Sequence, residues 1–140
     1  MPVDAQSLSA ALTALAEGAK LHAYQDSGGV WTIGVGHTGP DVHEGLIWTP
    51  AQMAQAFAMD EAPLLAMLTG KAPLMVAALA DFGFNCGKGA LHAVLTGADS
   101  IDNPKHTTDH TGKVLSNLVL RRHLESLLLQ LSIDQQGANT

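Results

Sequence analysis

Apolar residues recur at Leu8, Ala11, Leu12, Leu15 and Ala16, the stripe of an amphipathic helix. Asp4 or Ser7 can cap its start, and Gly18 is a natural stop directly after Glu17. Glu17 then falls in the last turn, where the helix dipole disfavours an anion. The pattern next shortens to period two. In "LHAYQDSGGVWTIGVGH" the Asp26-Ser27-Gly28-Gly29 cluster is a turn between β-prone runs, which predicts a hairpin. Along its second strand Trp31, Ile33 and Val35 share one face, packing a core. Thr32, Gly34 and Gly36 share the other, nearly bare face, which suits a groove that a ligand approaches closely.

The remainder is helical in pattern. "GPDVHEG" is loop, and "TPAQ" starts a helix with Thr49 as N-cap, Pro50 in the first turn and Gln52 closing a capping box. That helix is expected to run to about Ala62, before Pro63. Pro73 opens an almost wholly apolar helix through "LMVAALADFGF", interrupted only by Asp81, and "FNCGKGAL" bends into a further short helix. Residues 100–111 are rich in loop formers and are expected to be the most mobile internal stretch. A last helix, about Lys113 to Leu131, is expected to turn Leu120, Leu124, Leu127, Leu128 and Leu131 inward, leaving Asn117, Arg121 and Glu125 on a polar face. Residues 132–140 have the composition of a frayed tail. The fold class is α+β in a single domain over 1–140: a hairpin lobe, about 17–48, and a mainly helical lobe, about 50–131, with a cleft between them.

Composition narrows the classes of function. With 46% hydrophobic and 14% charged residues the chain can bury a core. A net charge of −6 excludes a general polyanion binder, because nucleic acid needs phosphate-neutralising Lys and Arg. The first eighty residues hold seven acids against Lys20 and Lys71. The single cysteine, Cys86, excludes an internal disulfide and a Cys-based zinc site, and reads as a small apolar residue. No basic residue precedes Lys20, and no window approaches the run of about 18 apolar residues that spans a bilayer, so neither a signal peptide nor membrane insertion is expected. His106, Asp109 and His110 in "HTTDH" have metal-like spacing, but Asn103-Pro104 places them in a loop without a third ligand; no metal and no cofactor are expected.

The segment "EGAKLHAYQDSGGVWTIGVGHT" resembles the active-site segment of the phage-type lysozymes, or endolysins. Their pattern is Glu-Gly at a helix end, then Tyr, Asp and Thr-Ile-Gly-x-Gly-His in the hairpin. Glu17-Gly18, Tyr24, Asp26 and Thr32 to His37 match it without a gap, and "TPAQ", "FNCGKGAL" and "GKVLSNLVLRRHLE" resemble later landmarks in the right order. The resemblance implies a lysozyme-like fold and a muramidase that hydrolyses the β-1,4 bond between N-acetylmuramic acid and N-acetylglucosamine in peptidoglycan. It also implies Glu17 as the acid, Asp26 as the base or water-positioning carboxylate, Thr32 as the water-orienting hydroxyl, and inversion at the anomeric carbon. The chemistry agrees: glycoside hydrolysis needs one protonated and one ionised carboxyl, and a partly desolvated Glu17 at a helix C-terminus suits the first role. The expected partner is the peptidoglycan glycan strand, met by a monomer that stays in the host cytoplasm until a holin breaches the membrane.

Taken singly, each residue has a plainer reading: Asp26 as turn former, Thr32 as strand residue, Glu17 as solvated helix end. Gly34 and His37 are candidate groove residues, His37 leaning towards a local ion pair. Phe84 and Asn85 either line the sugar groove or serve as a core phenylalanine and a bend-capping asparagine. Arg121 has Glu125 at i+4 and reads as half of a surface pair. The chain departs from the family after "GKGAL", where Val94-Leu95 replace a Ser-Thr pair and the connection is shorter by roughly two helical turns. That trimming keeps a second class open: a degenerate lysozyme fold that binds glycan or protein without cutting.

Overall fold

Asp4 accepts the Ser7 backbone N–H on Oδ1 at 2.8 Å and the Ser7 hydroxyl on Oδ2 at 2.7 Å, capping the first helix, α1 (Ala5–Glu17). Gly18, at φ +78°, ends it by donating to the Ala14 carbonyl at 2.9 Å. The computed structural model describes residues 4–139. The expected tail and the single-domain span reach Thr140 and residues 1–3, which lie outside those. The chain divides into two compact units. One comprises Ala11–Pro63; the other joins the residues up to Ala10 with those from Leu64 onward.

In the Ala11–Pro63 unit the sheet has three antiparallel strands in sequence order, β1 (Lys20–Gln25), β2 (Trp31–Gly34) and β3 (His37–Thr38). The expected hairpin is β1–β2; the two-residue β3 is too short to leave a periodic signal. Helix α2 (Pro50–Met67) starts on the expected capping box, with Thr49 N–H donating to Gln52 Oε1 at 2.8 Å and Gln52 N–H to Thr49 Oγ1 at 3.2 Å. It does not stop at Ala62. Pro63 lies inside it, and the division between the two units falls immediately after that proline.

Two expectations of burial fail here. Leu15 is 86% exposed, while Ser9 and Thr13 are buried, so α1 turns inward a face on which Ser9, Thr13 and Glu17 stand at i, i+4 and i+8. An Ala-rich helix offers several stripes of similar hydropathy, and small hydroxylated residues pack closer than leucine. The Thr32–Gly34 face is not an open groove either: Thr32 is 4% exposed and Gly34 is buried. A Cβ on Gly34 would stand 2.9 Å from the Trp48 ring and 3.3 Å from Met53 Cγ, so the backbone made bare by glycine is roofed by the chain's own tryptophan.

The other unit is built on α3 (Pro73–Cys86), buried continuously from Val76 to Gly83. Leu64, Leu68, Val76, Leu79, Phe82, Leu91 and Ile101 form its core with α4 (Lys88–Leu95). The final helix, α5 (Ser116–Ala138), reverses the expected orientation and absorbs most of the expected tail. Arg121, Arg122, Glu125 and Ser132 are buried, whereas Leu120, Leu124, Leu127 and Leu131 are 60%, 42%, 55% and 43% exposed. Asp81 supplies the reason. It sits fully buried on α3, and Arg121 clamps it with Nε to Oδ2 at 2.9 Å and Nη2 to Oδ1 at 2.7 Å. Leaving a buried carboxylate unpaired costs more than exposing leucines. Arg121 is therefore no surface partner of Glu125, which accepts instead from Arg122 Nη2 at 2.7 Å.

Residues 100–111 are better anchored than their composition predicts. Ile101 enters the core, Asn103 caps a 3-10 turn (Pro104–Thr107), and His106 is buried edge-on to Phe82. Asp99 collects Lys105 Nζ at 2.6 Å and His106 Nε2 at 3.0 Å, and hydrogen bonds from Lys105, the Ser100 backbone and Asn103 hold its carboxyl well below the usual range.

Candidate active site

Helix α1 delivers Glu17 to the start of the sheet, and Gly18 releases the chain into β1. Across the β1–β2 ladder Tyr24 stands opposite Thr32 and Gln25 opposite Trp31. Tyr24 and Thr32 therefore share a face of the sheet. The half-buried Tyr24 phenol is pushed above its ordinary 10, by desolvation first and then by the negative charges of Glu17 and Asp26. The charges of both carboxylates are thus felt at one phenol, whose residue stands in register with Thr32. Lys20 Nζ lies 4.1 Å from the centre of the Tyr24 ring, a cation over the same aromatic face.

Asp26 is held by the turn it makes. Its Oδ1 accepts Gly28 N–H at 2.8 Å and Val30 N–H at 2.9 Å, while its backbone N–H donates to the Val30 carbonyl. One carboxylate oxygen is committed to the turn; the side chain remains exposed for its other oxygen to meet solvent or ligand. The turn-former reading and the chemical reading of Asp26 are compatible, one for each oxygen. Thr32 Oγ1 donates to the Val30 carbonyl at 3.0 Å. With its proton engaged there, the hydroxyl offers a further donor only lone pairs.

His37 joins three segments. Its Nδ1 lies 2.6 Å from Asp60 Oδ2 on α2, its Nε2 lies 3.0 Å from Asp41 Oδ2, and its ring tilts against Trp48 at 5.3 Å between centroids. Burial lowers the imidazole's proton affinity, but the hydrogen bonds and charges of Asp60 and Asp41 outweigh it, so His37 titrates above 6.5. Both ring nitrogens donate when it is protonated. The same Trp48 covers Gly34, so His37 also braces the strand that carries Thr32.

Phe84 and Asn85 belong to the last turn of α3 in the other unit. Phe84 packs on the helical core, and Asn85 Oδ1 accepts a long contact from Cys86 Sγ at 3.6 Å. Cys86 also receives Arg122 Nη1, and burial pushes its thiol up in spite of that cation. Among the described residues no cluster of His, Cys, Asp and Glu is arranged for a metal ion. Sequence reasoning gave no role to Lys20, Trp48, Asp41 or Asp60. Their partners lie in other elements or, for Lys20, across an aromatic face that a sequence pattern does not mark.

The same fold occurs in solved structures. The muramidase domain of SpmX from Asticcacaulis excentricus is 28% identical, with a TM-score of 0.67 over 86% of this chain and 92% of that one. The endolysin from Escherichia coli O157:H7 phage FAHEc1 is 21% identical with a TM-score of 0.73, covering 91% and 94% of the two chains. The active form of the P1 phage endolysin Lyz is 20% identical with a TM-score of 0.72, covering 90% and 84%. No curated protein gives a significant match. The phage lysozyme family model matches residues 14–125, a span that holds Glu17, Asp26, Thr32, His37 and the Asp81–Arg121 clamp. By that match, and by the α+β architecture it shares with the endolysins, this chain belongs to the phage lysozyme family.

Proposed function

We propose that this lysozyme is an inverting muramidase of the endolysin type, in which Glu17 is the general acid and Asp26 and Thr32 prepare the attacking water. The observation that carries the assignment is that Glu17 at the end of α1, Asp26 in the β1–β2 turn and Thr32 on β2 stand in one compact unit, within the span that the phage lysozyme family model matches. Glycoside cleavage needs a proton for the leaving oxygen and a base for water on the opposite side of the sugar. Glu17 delivers the proton from the end of α1. Asp26 takes one from water through the oxygen not bound by the turn, while Thr32 accepts the water's second hydrogen, since its own proton goes to Val30. A lone pair of that water is then left to attack the anomeric carbon. In the Ala11–Pro63 unit His37, half-buried, is the candidate contact to the glycan strand, whereas Gly34 is closed off beneath Trp48.

The substrate of this reading is the β-1,4 bond between N-acetylmuramic acid and N-acetylglucosamine. Among the described residues no helix is long and apolar enough to cross a membrane. In this reading the enzyme is held in the host cytoplasm and reaches the wall through a breach made by another agent, such as a holin. Each chain carries a full catalytic set and acts without residues from a second one.

The test is the initial rate of peptidoglycan solubilisation beside a thermal melt. Glu17→Gln keeps the shape of the side chain but cannot give up a proton, so the rate falls by about 100-fold or more while the melt stays near the parent's. Asp26→Asn retains the Oδ1 that accepts Gly28 and Val30, so the turn survives and only the base is lost. Its rate also falls, without loss of fold. A folded Glu17→Gln protein cutting at the parental rate overturns the assignment, and an initial product of retained anomeric configuration overturns inversion. The near-closure of Thr32 favours a second reading, glycan binding without cleavage. A parent that binds peptidoglycan and releases no reducing ends would establish it.

A further inference from the structure

The Ala11–Pro63 unit carries six carboxylates, Glu17, Asp26, Asp41, Glu44, Asp60 and Glu61, against a single lysine or arginine, Lys20. An exposed lysine in so acidic a surrounding is expected to lean on a carboxylate. Lys20 does not. Among the described residues no acid pairs with it, and its ammonium stands 4.1 Å from the centre of the Tyr24 ring instead. The ring fixes where the charge sits and leaves its N–H donors open to solvent or ligand. The sheet sets that place. Lys20 is opposite Gly34 and Tyr24 opposite Thr32 across the β1–β2 ladder, and Glu17 precedes Lys20 by three residues at the end of α1. The Tyr24 phenol in turn feels the charges of Glu17 and Asp26. An uncommitted cation is thus held on the same tyrosine at which both candidate catalytic carboxylates are felt.

We propose that Lys20 is a specificity-determining contact for the substrate, its ammonium receiving a carboxylate borne by the lactyl arm of the muramic acid. The inference rests on the proposed muramidase reaction and names the charged group that this site selects. The sugar rings and acetamido groups of a glycan strand are neutral. Its negative charges lie on the lactyl arm, in the stem peptide attached there or, where the peptide has been removed, at the bare lactyl carboxylate. Both sources offer the same chemistry to an ammonium. The six carboxylates of the unit repel such a group, and Lys20 is the one permanently charged side chain there that attracts it. The contact is exposed to water, so it acts on binding by about five-fold and leaves bond breaking to the carboxylates. The repulsion between an acidic chain and an anionic wall is separate, since it acts at long range on encounter and is screened by salt.

Initial rates of reducing-end release from soluble, uncross-linked glycan strands test this. The strands are used with intact stem peptides, after carbodiimide amidation of their carboxyls with excess methylamine, and after an amidase has stripped the peptides. Lys20→Met keeps the apolar stem of the side chain and loses only its charge. On intact strands its KM is expected to be about five-fold above the parent's, with kcat and the thermal melt near the parent's. On amidated strands the two proteins share one KM, and Lys20→Arg restores most of the affinity for intact strands. A rise in KM on intact strands assigns the carboxylate to the stem peptide, and one confined to stripped strands assigns it to the lactyl end. Equal KM values on both, a loss that amidation leaves unchanged, or a loss in kcat alone overturns the proposal. A parent that cuts none of the three substrates refutes the muramidase reading instead. Cosedimentation with intact and amidated walls then decides the contact: Lys20→Met binding more weakly to intact walls alone supports it, and binding like the parent to both overturns it.

Discussion

His37 holds a carboxylate at each ring nitrogen, and only the protonated ring can donate to both. Its proton affinity is raised in the folded chain, so the stabilisation is full below pH 6.5, the unfolded value, and is lost as pH climbs through the higher folded-state value. Asp60→Asn is therefore expected to lower stability by about 2 kcal/mol near pH 5.5, with the gap narrowing by pH 9. Parallel thermal melts of parent and variant across that range measure it; a gap that widens with pH refutes the clamp. Asp41 is the more exposed partner, and its removal matters less. His37 could be noticed in the sequence because it ends Thr-Ile-Gly-x-Gly-His, and an ion pair was a natural reading. Asp60 could not be named, since it stands 23 residues away on another element.

At the scale of elements, the seam between α3 and α5 is ionic where the sequence predicted leucines. Burial, reinforced by a hydrogen bond with Asp81, pushes the Glu125 carboxyl up to about 9 against 4.5 when free, in spite of the neighbouring Arg122. The folded chain thus holds a proton that the unfolded chain releases above pH 4.5. Stability present below 4.5 is lost as pH rises towards 9, by up to about 1 kcal/mol per pH unit. Glu125→Gln supplies a neutral group that still accepts from Arg122, so denaturant melts at pH 5.5, 7 and 8.5 are expected to show a flatter profile than the parent's. An equally steep decline in the variant would place the titration elsewhere. The helix itself was legible from its leucine period. Its orientation was not, because the Asp81–Arg121 pair that overrides hydropathy forms between α3 and α5, from residues 40 apart in the chain.

At the scale of the whole molecule, the charge of −6 sets how the enzyme meets its substrate. An acidic lysozyme is repelled by an anionic wall, and added salt screens that repulsion over a Debye length of roughly 10 Å at 0.1 M. Peptidoglycan solubilisation is expected to rise several-fold between about 10 and 150 mM salt, the reverse of what a basic lysozyme would show. A rate that falls over this range, measured on purified walls by turbidity, would mean that local cations such as Lys20 govern the encounter instead.

The sequence alone determined whatever depends on neighbours in the chain. Asp4 caps α1 and Gly18 ends it, Asp26 ties its own turn, and Thr49 with Gln52 opens α2. Those bonds span at most four residues, so local composition and spacing suffice, and they already set Glu17, Asp26 and Thr32 in order. Tertiary structure decided what depends on distant partners: that Trp48 roofs Gly34, that Pro63 lies within a continuous helix, and that Ile101 and His106 anchor a segment with the composition of a loop. It also decided which face of α5 is buried. A buried Asp81 must find its cation whatever the hydropathy of the helix that supplies it, and the leucines displaced by that requirement are left at the surface.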